Sequence, residues 1–218
     1  MSRTIVVVTA GLSQPSSTRL LADRIADAVG AAVSARGESA DVEFIELREL
    51  AVDLATSMTS GGMPTPRVAA ARERVSAADG LIVVTPVFAA SYSGLFKMFF
   101  DLLDTDSLNG MPVIIAATAG TPRHSMVLDY ALRPLMTHLR AVVVPTGVFA
   151  ATDDFGGTAG DGLSGRISRA ASELAGLVVS ESGAVAGFTP GDPTRRTSGN
   201  DLPTEVTSFA DLLRGHTG

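Results

Sequence analysis

Five short runs rich in Val and Ile alternate with stretches whose apolar residues recur every three or four positions, and this alternation constrains the fold more than any other feature. The runs are TIVVVT (4–9), DVEFIEL (41–47), GLIVVTP (80–86), MPVIIAAT (111–118) and AVVVPTGVF (141–149). Near-continuous apolar runs of this length read as strands buried on both faces. Between and after them lie STRLLADRIADAVGAAVSARG, PRVAAARERVSAAD, GLFKMFFDLLD, HSMVLDYALRPLMTHLR and DGLSGRISRAASELAGLVVS; in the first of these Leu21, Ile25 and Val29 stand four apart. Strand and helix in alternation predict an α/β fold, with five parallel strands, right-handed crossovers and helices on both faces. Ligands of such sheets bind outside the carboxyl ends of the strands, where the strand order reverses. The loops after the first, third and fourth runs are therefore where chemistry is expected.

Composition removes several kinds of chemistry. The chain has no Cys, which excludes disulfides, thiolate catalysis and Cys-ligated metals, and its His residues (His124, His138, His216) are scattered rather than spaced as ligands. A net charge of −6 without a block of clustered Lys or Arg argues against a nucleic-acid partner. No apolar run approaches the roughly 20 residues of a membrane helix, and the first residues, MSRTIVVVTAG, lack the order of a secretion signal. The expectation is a cytoplasmic protein with no membrane association, a small-molecule partner and one core with an appendage.

The first loop, TAGLSQPSSTRLLA (9–22), leaves the strand through Gly11, Ser13, Ser16, Ser17 and Thr18 and enters a helix with no acidic residue in the turn. A phosphate at a helix N-terminus is held by backbone N–H groups and the positive end of the dipole, with short hydroxyl side chains completing its hydrogen bonds. An acidic N-cap would repel it. Ser16 or Ser17 serving only as an N-cap explains one hydroxyl but not the set. The loop is neither a P-loop nor GxGxxG.

The second loop, TPVFAASYSGLFKMFFD (85–101), follows Pro86 and Val87 with the aromatic Phe88 and the small residues Ala89, Ala90, Ser91 and Ser93; Gly94 opens the helix. Small side chains leave main-chain N–H groups accessible to a flat heteroaromatic ring, although a plain connector has similar composition. The third, TAGTPRHS (118–125), offers Thr118 and Thr121 hydroxyls, with Gly120 allowing an unusual backbone conformation; Arg123 is either a partner for a nicotinamide cofactor's phosphates or a solvated helix-start residue.

These segments, in this order and at these separations, resemble the NADPH-dependent FMN reductases of flavodoxin-like fold. The middle one is the most similar, in Pro86, Phe88, Ser91, Gly94, Lys97 and Asp101. ALRPLMTHLRAVVVPTGVFA resembles the helix and fifth strand of the sulfonate-utilisation type, and the closest likeness is to the actinobacterial reductases that partner luciferase-like flavin monooxygenases. The likeness runs over about residues 3 to 180. It implies a flavodoxin-like three-layer sandwich with strand order 2-1-3-4-5 and FMN as cofactor. It places the phosphate at Gly11, Ser13, Ser16, Ser17 and Thr18, the isoalloxazine at Pro86, Val87, Phe88, Ala89 and Ser91, and the ring edge toward Thr118, Gly120 and Thr121.

The implied activity is hydride transfer from NADPH or NADH to FMN, supplying reduced flavin to a monooxygenase. A quinone or azo-type reductase with bound FMN, and a non-catalytic flavodoxin-like FMN-binding protein, share the fold. Such chemistry needs no protein nucleophile, so every site residue is a binding residue. A homodimer or homotetramer is implied too, with the apolar helix GLFKMFFDLL as either interface or core. Two departures stand out: relatives carry an Arg in the first loop where this chain has none, and Ala89 replaces a common Asn.

Residues 1–182 are expected to form the FMN-binding domain and 183–218 a flexible C-terminal arm, rich in Gly, Pro, Ser and Thr. RELAVDLATSMTSGGMPTPRV (48–68) is expected to be a mobile loop.

Overall fold

The structure, a computed structural model, describes residues 2–155 and 160–179. The strands β1 (Ser2–Thr9), β2 (Ser39–Glu46), β3 (Gly80–Phe88) and β5 (Pro112–Ala119) form the centre of the sheet. The short strands β4 (Ser91–Tyr92), β6 (Val142–Val143) and β7 (Val148–Ala151) complete it. The order is β2-β1-β3-β5-β6, all parallel, with β7 pairing further along β5 and β4 turning back antiparallel on β3. In terms of the five expected runs this is the order 2-1-3-4-5.

The strand count differs from the expected five, for two local reasons. The run 141–149 breaks at Pro145, which has no N–H for the ladder. The gap is held by Glu173, whose carboxylate accepts from the Thr146 N–H and hydroxyl, each at 2.8 Å. The seventh strand arises because the second loop folds back as a hairpin.

Helices α1 (Ser17–Ser34) and α6 (Gly160–Val178) cover one face of the sheet. Leu21, Ile25, Val29 and Val33 of α1 pack with Ile5, Val7, Ile82, Val84 and Leu174 in one buried cluster. The alternation of β1 sends Val6 and Val8 to the opposite face. There they meet α2 (Ala51–Thr59), α3 (Pro66–Ala77), α4 (Gly94–Asp101) and α5 (Arg133–His138). These two clusters on either side of one sheet make the three-layer sandwich.

Two expectations of local structure are corrected, and one open alternative is decided. Residues 48–68 are not a loop throughout: a 3₁₀ turn (Leu47–Leu50) leads into α2, because Leu47, Leu50 and Leu54 fall at helical spacing and are buried. Ser57 secures its end, donating to the Asp53 carbonyl at 2.9 Å and accepting from the Thr65 N–H at 3.1 Å. The stretch 124–140 is not one regular helix but a π-helical turn (Leu128–Leu132) followed by α5. Pro134 lacks the amide donor, and its ring crowds the carbonyl four residues back, so the helix widens ahead of it. Finally, the apolar face of α4 is core. Phe96, Phe99 and Phe100 are buried, with ring centroids 4.5 Å apart for Phe96–Phe100 and 5.3 Å for Phe99–Phe100. The arm 183–218 lies outside the described residues.

Candidate functional site

The loops after β1, β3 and β5 meet at the carboxyl rim because their strands are neighbours in register. Thr9 pairs with Val84 and Pro86 with Thr118, and the Ala10 N–H donates to the Val84 carbonyl at 3.0 Å. Side chains tighten the junction. The buried hydroxyls of Thr18 and Thr118 lie 2.8 Å apart and hydrogen-bond, joining the first loop to the third.

In the first loop Ser16 is the N-cap of α1, accepting from the Arg19 N–H at 3.2 Å, and no acidic residue occupies the first turn. Gly11 is buried in a tight passage, where a Cβ would stand 2.2 Å from the Ser16 Oγ. Ser13 and Ser17 are exposed. At the end of β1, Thr9 is fully buried and its hydroxyl has no partner among the described residues. Loss of a hydrogen bond by a buried hydroxyl is costly, so this orphan beneath the loop marks a place where polarity is kept for some reason other than packing.

The second loop is a two-residue hairpin. Val87 pairs with Tyr92 and Phe88 with Ser91, and the turn residues Ala89 and Ala90 have φ of 47° and 67°. Left-handed backbone at both central positions is the primed turn that suits the strand twist, a conformation normally given to Asn-Gly. Strain of this kind persists where surrounding structure imposes it and clusters at functional sites. Here Thr85 imposes it: its buried hydroxyl accepts from the Ser93 N–H and donates to the Pro86 carbonyl, both at 3.0 Å. Ser93 in turn caps α4 by accepting from the Phe96 N–H at 3.2 Å. Tyr92 packs on Phe96, with ring centroids 5.8 Å apart.

The hairpin therefore presents Phe88, Ala89 and Ala90 to solvent, with Pro86, Val87 and Ser91 half-buried behind them. Lys97 and Asp101 pair on the outer side of α4, both partly exposed.

In the third loop Thr121 accepts from the Arg123 N–H at 3.4 Å across a 3₁₀ turn (Pro122–His124), and Arg123 itself is exposed. Gly120 does not use the left-handed backbone region that glycine allows. What Gly120 contributes is space: a Cβ there, as at Gly94, would meet nothing within 4 Å.

Two residues of this rim escaped the sequence. Thr85 is one. The other is Arg48, in the turn after β2, whose guanidinium reaches the first loop from outside. It donates to the Ser13 carbonyl at 3.4 Å and, with the amide oxygen of Gln14 facing it, to that oxygen at 2.9 and 2.6 Å.

Here a polar, acid-free loop on a helix N-terminus stands beside a small-residue hairpin, and both lie in the region that a known family covers. The model of "NADPH-dependent FMN reductase" matches residues 3–156. This chain belongs to that family. The match takes in all three loops and every strand of the sheet.

Individual relatives give the same picture. An "FMN reductase (NADPH)" of Pseudomonas aeruginosa is 36% identical over 151 residues, 69% of this chain and 78% of the relative. Among solved structures, that of an oxidoreductase from Corynebacterium diphtheriae is 64% identical, with a TM-score of 0.80 over 83% of this chain and 99% of the other. The apo form of an NADH:FMN oxidoreductase is 30% identical, with a TM-score of 0.69 over 83% and 92%. This FMN reductase family member is thus a flavodoxin-like oxidoreductase. Among its described residues no helix is long and apolar enough to cross a membrane.

Proposed function

We propose that this chain reduces FMN with NADPH or NADH and passes the reduced flavin to a flavin-dependent monooxygenase. FMN chemistry, hydride acceptance from a nicotinamide, is the cofactor's own; the protein binds, orients and stabilises. The first loop receives the phosphate: its α1 N-terminus carries the positive end of the helix dipole, and Ser13, Ser16 and Ser17 offer hydroxyls free of acidic neighbours in that turn. Thr18 and Thr118 join this loop to the third through one hydrogen bond, which leaves one of their two hydroxyl protons for a ligand.

The observation that carries this reading is the Phe88–Ser91 hairpin. Two Ala residues held in left-handed backbone turn main-chain groups outward with no side chain larger than a methyl in front of them. Such a turn suits the polar edge of a flat ring, and backbone N–H groups there stabilise negative charge as it develops on that edge. Gly120 and Gly94 leave open space on either flank. No side chain is assigned an acid or base role. A site on an open rim with Phe88 47% exposed favours a flavin that arrives and leaves over one sealed inside.

The test is oxidation of NADPH and NADH by the purified full chain, with FMN, riboflavin or FAD added, alongside the absorbance spectrum as isolated. Oxidation that saturates with FMN is expected. No oxidation with any flavin and no bound flavin would overturn the proposal.

A further inference from the structure

We infer that Arg48 is a specificity-determining residue, the source of the positive charge by which the first loop distinguishes a phosphorylated flavin from riboflavin. The inference rests on the proposed placement of FMN phosphate at this loop. From Thr9 to Thr18 the chain carries no charged residue. The nearest cation in sequence, Arg19, is already engaged. It pairs with Asp23 at 2.7 Å and with Glu46, and its guanidinium lies 3.8 Å over the Phe44 ring. Glu46 and Phe44 hold it toward β2, and the two carboxylates offset its charge.

Arg48 is placed differently. Its nearest carboxylate contact is Glu46 at 3.8 Å, beyond hydrogen-bond distance, and that carboxylate is shared with Arg19. Its hydrogen bonds go to neutral acceptors of the loop itself, the Ser13 carbonyl and, with the amide turned so that its oxygen faces the guanidinium, Gln14. These fix its position without neutralising it. With 24% of its side chain exposed it is partly shielded from solvent, which strengthens its field over that of a fully solvated cation. A planar guanidinium with five donors keeps N–H groups available for phosphate oxygens after serving Ser13 and Gln14. Riboflavin, lacking the phosphate, has nothing for it to attract.

The test is titration of flavin-free wild-type, R48Q and R48K proteins with FMN and with riboflavin, followed by quenching of flavin fluorescence, with circular dichroism to establish folding. Wild type is expected to prefer FMN. R48Q should lose roughly ten- to hundredfold in FMN affinity, the range for removing a charged hydrogen-bonding partner, while its riboflavin affinity stays unchanged. R48K, which keeps the charge without the fork, should fall between them, and it carries the test if R48Q does not fold. Full FMN preference in both variants, or equal loss for both flavins, would overturn the role of Arg48. Wild type without any preference would instead overturn the placement of phosphate at the first loop.

Discussion

Thr18 at the start of α1 and Thr118 at the end of β5 stand 100 positions apart in the chain, yet their hydroxyls lie 2.8 Å from each other in a buried contact. The pair ties the first loop to the third across the carboxyl rim. Replacing Thr118 with Val keeps the shape and strands the Thr18 hydroxyl, at a cost of about 1–3 kcal/mol. The double variant T18V/T118V removes both polar groups and should be less destabilised than the sum of the singles. Chemical denaturation of all four proteins checks this; additive losses would mean that the hydroxyls do not depend on each other.

The turn at Ala89 and Ala90 makes an opposite prediction. L-residues pay about 1–2 kcal/mol each for left-handed backbone, and Gly does not, although its freer unfolded chain returns about 0.4–1 kcal/mol. A90G should therefore stabilise the protein by up to about 1.5 kcal/mol. A denaturation midpoint below wild type would contradict the strain.

Phe96 is buried among Tyr92, Phe99 and Phe100 and carries the hairpin into the core. Phe96→Ala should cost about 3–5 kcal/mol. Because Tyr92 loses its platform, flavin affinity should fall in the protein that remains folded, whereas Val75→Ala in α3 should lower stability alone. Equal flavin affinity in both variants would argue against the coupling.

At the opposite end of the sheet Arg3 donates to Glu38, through its Nη2 at 3.1 Å and through its Nε. Hydrogen bonding to Arg3 holds the Glu38 carboxyl below its ordinary range, and the same pairing raises Arg3. A carboxyl pulled down on folding stabilises the protein above its unfolded pKa and loses that contribution as pH falls through the folded value. Glu38→Gln should thus lower the thermal midpoint at neutral pH, with the gap to wild type closing in acid. A gap independent of pH would refute the linkage.

Much of the architecture was legible because Val and Ile runs such as TIVVVT and GLIVVTP are buried on both faces and cannot be mistaken for amphipathic segments. The rim loops were legible by position and small-residue content. Other features depended on contacts that no local pattern encodes. Arg48 meets Ser13 across 35 residues, and only the pairing of β1 with β2 brings them together. In 48–68 the Gly and Pro residues near its end outweighed the Leu47, Leu50 and Leu54 spacing that makes α2. The contact between Thr18 and Thr118 is hidden for a related reason: a loop hydroxyl reads the same in sequence whatever its partner, and these two stand 100 positions apart.

The bracing of the hairpin by Thr85 and Ser93 has a kinetic consequence. A turn already fixed by the protein's own hydrogen bonds would give up little conformational freedom on the proposed docking of the flavin ring, so little of the contact energy would be consumed in ordering. Arrival then requires no rearrangement of this segment. Variants that alter what the turn touches should change residence time far more than the rate of capture.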